Sequence, residues 1–286
     1  MVIIIKNILL FYYNFTNPEL IIYDFKDNTF KYNDTTYIFM EFRENNIIFN
    51  NLDNRFHKII INKYNKYVSD YNNKQYILLK INKNIVNKNI ELNDLFEFYK
   101  EETKNIINKN NYYDLWKEKI EYLYTYYKDY FYNDDYDFQY YYGLSLISLN
   151  IIKNINNMNI KYGLSFNRFY NINTLYDLYN PLNIEYGPII NTFSEFLKNS
   201  FFKNKIIDYK RIFDFELNVE DYYYLIARLL FPTYYFDLFE DNKIITNYQL
   251  IIQNIDNYIK YVKEIILEIK KRHSSMPFLD FIINLL

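Results

Sequence analysis

The sequence predicts an α+β protein, with a small N-terminal antiparallel β-sheet lobe over residues 1–88 and a larger helical C-terminal lobe over 89–286. Two observations carry this prediction. Before residue 90, short apolar runs rich in Ile, Tyr and Phe are punctuated by Asn and Asp pairs; after it, apolar residues recur at three and four. Half of the 286 residues are apolar, which suits one large domain or two lobes sharing an interface.

Leu20 to Phe25, Thr36 to Phe42, Phe56 to Ile61 and Gln75 to Ile81 read as strands. Asp27-Asn28, Asn33-Asp34 and Asn72-Asn73 read as turns, because Asn and Asp tolerate left-handed backbone and bond their own main chain. A short helix from Ile3 closes over Phe11 to Phe15. Further on, Leu92, Leu95, Phe96 and Tyr99 open a helix that Asn93-Asp94 would cap. Asp114 precedes a second helix, with Leu115, Trp116, Ile120, Leu123, Tyr124 and Tyr127 on one side. Tyr140 to Ile155 is apolar on nearly all faces, as a helix at the centre of a lobe would be. Lys161 to Pro188 reads as irregular. Ile189 to Phe202, Val219 to Phe231, Thr233 to Asp241 and Tyr248 to His273 read as helices, with Pro232 separating the middle two. Pro277 ends the last of them, and the apolar tail Phe278 to Leu286 is expected to fold back on the core.

Composition removes many catalytic toolkits. The chain has three glycines, two histidines and no cysteine. Phosphate-cradling loops need glycine, whose bare backbone can approach phosphate oxygens closely, and Gly143, Gly163 and Gly187 stand alone. His57 and His273 share no metal-ligand spacing, and thiolate chemistry is excluded. The net charge of −2, with basic residues scattered among acidic ones, argues against nucleic acid as a partner. No stretch reaches about 20 uninterrupted apolar residues, so no membrane span is expected, and the cytoplasm is the expected location. Asn, Ile, Tyr, Lys and Phe share AT-rich codons. The 36 tyrosines are therefore read mainly as bulky rings in packing positions rather than as a binding surface.

The order of sheet lobe then helical lobe resembles the protein-kinase-like fold of the aminoglycoside phosphotransferase and choline kinase superfamily. Within it, the likeness is to spore-coat kinase-like proteins of low-GC Gram-positive bacteria and their relatives. Four segments carry it: Phe56 to Asn62 through Gln75 to Ile81, Leu115 to Leu123, Leu178 to Asn183 through Glu195 to Lys198, and Ala227 to Asp237. The resemblance implies a catalytic Asp in a His-Gly-Asp type loop, a nearby Asn and a second, magnesium-binding Asp. The corresponding regions read Gly163-Leu-Ser-Phe-Asn-Arg-Phe169 and Asn183-Ile-Glu-Tyr-Gly-Pro188, and Tyr37 to Phe42 has no lysine, with Arg43 only at its flank.

These departures lead to the expectation of a degenerate phosphotransferase: a catalytically inactive, pseudokinase-like protein that works by binding another protein, with a spore-coat or envelope role implied by the resemblance. No catalytic residue, metal or cofactor is expected. Asn167, Arg168, Asn183 and Glu185 are candidates for a degraded cleft, and Arg228, Pro232 and Asp237 for a structural role, Arg228 and Asp237 as a pair fixing two helices. Two alternatives stay open. One is an active or vestigial ATP-dependent small-molecule phosphotransferase using Mg·ATP, with Glu185 on the metal. The other is a self-assembling coat component.

Overall fold

A computed structural model describes residues 2–16, 21–24, 29–42, 53–100, 112–127, 136–155, 160–166, 172–236, 254–274, 276 and 278–286. The protein is mixed α+β, a small antiparallel sheet with a larger helical part. The chain separates into two compact units: Met1–Glu91 with Asn171–Glu185, and Leu92–Tyr170 with Tyr186–Leu286. Residues 171–185, which the sequence reading placed with the helical region, therefore belong with the sheet.

In the first unit, helix α1 (Val2–Tyr12) precedes strands β1 (Ile21–Asp24), β2 (Thr29–Tyr32), β3 (Thr35–Glu41), β4 (Lys58–Ile59), β5 (Ser69–Tyr71) and β6 (Lys74–Lys80). The sheet order is β1-β2-β3-β6-β4, with β5 also pairing β6. The hairpins β2–β3 and β5–β6 turn at Asn33-Asp34 and Asn72-Asn73, all four at positive φ (46° to 59°). Two successive left-handed residues match the twist of the flanking strands. Among the described residues, positive φ at non-glycine positions falls only on Asn and Asp, and no described glycine adopts it. In this glycine-poor chain asparagine does the work usually given to glycine, since its short amide bonds the local backbone and offsets part of the steric cost.

Strand β6 buries Ile77, Leu78 and Leu79 in succession because both faces of the sheet are covered. Ile5, Ile8 and Leu9 of α1, spaced three and four apart, pack with Phe30, Phe39 and Leu78 on one face. On the other face Ile38, Ile77, Leu79 and Ile81 meet Tyr176 and Leu182. The strand read over Phe56 to Ile61 is only Lys58–Ile59, because Phe56 and His57 turn away to bind residues 176–179. The short strands β2 and β5 escaped the sequence reading, being hairpin partners of only four and three residues. Leu20, Phe25 and Asp27-Asn28 lie outside the described residues.

The second unit contains α2 (Leu92–Tyr99), α3 (Tyr112–Tyr127), α4 (Tyr136–Lys153), the two-stranded sheet β7 (Tyr162–Ser165) with β8 (Glu185–Pro188), α5 (Ile190–Phe202), α6 (Val219–Leu230), α7 (Ile255–Arg272) and α8 (Phe278–Leu285). Helix α2 begins at Leu92, so Asn93 and Asp94 lie in its first turn rather than capping it. On α3 the buried stripe is Trp116, Ile120 and Leu123, while Leu115 and Tyr124 are exposed. The most enclosed helix is α6, buried continuously from Tyr224 to Leu230 and packed against α4, α5 and α7. The expected central helix, α4, instead exposes Leu146. Periodicity cannot tell a helix with one wet edge from one without when Tyr and Leu occupy that edge. Helix α7 buries Tyr258, Ile259, Val262, Ile265, Ile266 and Ile269, a clean apolar stripe. The tail does fold back: α8 packs on α7 and buries Leu279 and Ile282 completely.

Candidate functional site

The segment joining α4 to α5 is where the sequence reading sought a degraded cleft. Its described part, 172–185, is a clamp on the sheet. A short helix, Leu175–Leu178, starts with a capping box: the Asp177 carboxylate accepts from the backbone N–H groups of Asn173 and Thr174 and from the Thr174 hydroxyl, all at 2.9 Å. Backbone bonds from Ile90 to Asn173 and from Leu175 to Lys88 (3.0 Å each) tie this helix to the end of the sheet unit. The Asn180 side chain caps the following 3₁₀ turn, Pro181–Asn183, through the Leu182 N–H, and its amide donates to the Met40 sulfur (3.2 Å).

Asn183, a candidate cleft residue, donates its side-chain amide to the Asp177 carbonyl (2.9 Å) and closes the same turn. Glu185, the other described candidate, opens strand β8. Asn167 and Arg168 lie outside the described residues, as do Arg43 and Asp237.

His57 locks this clamp. It is 3 % exposed and both ring nitrogens are used. The Asn82 N–H donates to Nδ1 (3.3 Å), so the proton sits on Nε2 and is donated to the Tyr176 carbonyl (3.0 Å). The His57 backbone N–H donates to the Tyr179 carbonyl (3.0 Å). Burial pushes the imidazole down to about 4, opposed by the Tyr176 carbonyl and the Asp177 carboxylate, so it is neutral near pH 7. A neutral ring with both nitrogens engaged is a fastener. Sequence reading saw a hydrogen-bonded histidine, but its partners lie 25 and 119 residues away. Beside His57 opens a cavity of about 680 Å³ lined by Lys58, Lys80, Asn82 and Pro181 among others, all within the first unit.

In the second unit Arg228 forms a buried ion pair with Glu195 on α5 (2.9 Å), where Asp237 was the expected partner, and Glu195 also lies 3.4 Å from Lys198. Sequence spacing alone gave no reason to choose Glu195, 33 residues away. Pro232 breaks the helical run as expected: Phe231 closes α6 on the Ala227 carbonyl, and the Pro232 carbonyl accepts from Tyr235 and Phe236 to start the next turn. Asp221, fully buried, accepts backbone N–H groups from Asn218 and Lys161 (2.9 and 3.0 Å) and joins the start of α6 to the start of β7, while burial raises its carboxyl. Beside Gly187, the fully buried Asn191 side chain bonds no described residue. The neighbouring Tyr162 hydroxyl is pushed up to about 12 by burial, with Tyr112, Asp221 and Tyr186 adding to the effect.

Among the described residues no group of three or more His, Cys, Asp or Glu is placed to hold a metal ion, and no helix is long and apolar enough to cross a membrane. Compared with models of known families, with curated proteins and with solved structures, the chain matches none.

Proposed function

We propose that this chain is a catalytically inactive protein of kinase-like build that acts by binding another protein. One observation carries the reading: from the short helix into the start of the segment that would hold a metal loop, Asp177, Asn180 and Asn183 are committed to the fold. Asp177 caps its own helix, Asn180 caps the next turn and reaches Met40, and Asn183 closes on Asp177. A carboxylate bound by three local donors is poorly disposed to take a cation as well.

The protein-binding part draws support from the outer side of α1. Leu10, Phe11, Ile61 and Tyr64 are each about half exposed, and the rings of Phe11, Tyr12 and Tyr64 lie 4.8 to 6.4 Å apart. Lys63 stands over both the Phe11 and Tyr64 rings. A grouped apolar surface with a cation at its centre suits a partner presenting apolar and acidic side chains.

Thermal denaturation with Mg·ATP and Mn·ATP tests the inactive part. The expected result is an unchanged melting temperature and no phosphate transfer, because a bound nucleotide would stabilise the fold by mass action. A saturable rise, or transfer abolished by Glu185→Gln, would overturn it. For the binding part, proximity labelling should identify one protein with the wild-type chain and lose it with the folded Phe11→Ser/Tyr64→Ser variant.

A further inference from the structure

The register of the sheet builds a row that the linear sequence hides. Phe30 on β2 faces Tyr37 on β3, Tyr37 faces Lys80 on β6, and Lys80 faces Lys58 on β4. Residues directly opposite in an antiparallel ladder stand on one face. At one end the row is aromatic, with Phe30 and Tyr37 stacked at 5.4 Å. At the other it is cationic.

Like charges placed directly opposite one another weaken a sheet. Two other lysines of this unit are paired with carboxylates: Lys74 bonds Glu41 at 2.9 Å, and Lys31 bonds Asp34 at 3.0 Å. The ammonium groups of Lys58 and Lys80 have no ion-pair or hydrogen-bond partner among the described residues. Both line the 680 Å³ cavity, and Lys83 joins them. The carboxylate in that wall, Asp53, is already occupied by Arg55, which grips both its oxygens at 2.7 to 3.0 Å. The Asn82 amide is also spent, donating to the Asn54 and Arg55 carbonyls. What remains for a ligand is the Lys58 and Lys80 ammonium groups, with Lys83 shared with the Asp34 carboxylate, and an apolar wall that includes Phe56, Ile59, Ile81 and Pro181.

We propose that this cavity binds a phosphate monoester with an apolar body, its phosphate bridging Lys58 and Lys80. A phosphate monoester carries about 1.5 to 2 negative charges near pH 7, which answers two ammonium groups at one point, whereas a carboxylate answers one. Facing residues on paired strands have Cα atoms roughly 5 Å apart, so two lysine stems can reach different oxygens of a single tetrahedral group. Binding would relieve the repulsion between the two facing ammonium groups. The site requires no phosphate transfer, and it stands or falls separately from the Phe11 surface.

The test is thermal-shift titration of the full chain at constant ionic strength with phenyl phosphate and with inorganic phosphate. The variants are Lys58→Gln/Lys80→Gln and, as a control on α4, Lys153→Gln. Phenyl phosphate should give a saturable rise in melting temperature at lower concentration than inorganic phosphate. The double variant should lose about tenfold or more in apparent affinity, with the control unchanged. Without ligand, the double variant should melt at the same temperature as wild type or higher, since a like-charge pair has been removed. Any of four results would overturn the proposal: no saturable rise with phenyl phosphate, the same rise in the double variant, phenyl phosphate no tighter than inorganic phosphate, or a ligand-free double variant that melts lower.

Discussion

In the sheet unit, amides and one imidazole tie loops to backbone; in the helical unit, ring packs on ring. Asn62, 3 % exposed, donates to the Val68 carbonyl and the Ser69 hydroxyl and accepts from the N–H groups of Tyr64 and Lys66. Asn82, Asn180 and His57 act in the same way. In the helical unit, Trp116 stacks on Phe231 at 4.2 Å and Tyr141 on Tyr235 at 3.8 Å, while Phe193 meets Phe215 at 5.2 Å. Its buried tyrosines are core residues with a polar tip: Tyr258 donates to the Leu229 carbonyl (2.7 Å), and Tyr99 shares a 2.5 Å bond with Thr192. Burial raises Tyr234 and Tyr258 well above the usual phenol range. An AT-biased vocabulary has thus been put to two uses, asparagine where backbone must turn and tyrosine where volume must be filled.

If that contrast is right, the two units should fail differently. The largest effect is expected in the aromatic core. Phe231→Ala removes a ring 1 % exposed from its stack on Trp116, and chemical denaturation should register a loss of about 3–5 kcal/mol. Next comes acid sensitivity in the sheet unit. The unfolded imidazole of His57 titrates near 6.5 and the native one near 4, so between these values the unfolded chain binds more protons. The stability linked to His57 is therefore present above pH 6.5 and falls as pH drops toward 4, by about 2–3 kcal/mol. His57→Gln should flatten that part of the stability–pH curve; an unchanged slope would show that the ring is not held neutral. The smallest effect tests the turns. Asn73→Val places a β-branched residue at φ 59° and should cost about 1–2 kcal/mol, while Asn73→Gly should be near neutral. Equal losses for both would mean that the asparagine amide, and not its backbone tolerance, holds the hairpin.

The turns at Asn33-Asp34 and Asn72-Asn73, the long helix ending near His273 and the Pro232 break were legible because each depends on residues within a few positions of one another. Strands β2 and β5 were not, since a three- or four-residue strand is stabilised by its hairpin partner more than by its own apolar content. The candidate-site residues fared unevenly for the same reason. Asn183 was read as a candidate cleft residue, and its amide is used on the Asp177 carbonyl that folding brings to it. Arg228 was read as pairing with Asp237, which lies outside the described residues; the partner the structure supplies, Glu195, sits on a different helix.

By itself, the sequence determined that a sheet precedes helices, where several turns fall and which chemistries lack their reagents, because local backbone preference and side-chain inventory do not depend on distant contacts. Tertiary structure decided that residues 171–185 join the sheet, that His57 is a fastener, and that Lys58 faces Lys80. Those facts arise from strand register and from contacts between residues separated by 20 to more than 100 positions, which no local pattern encodes.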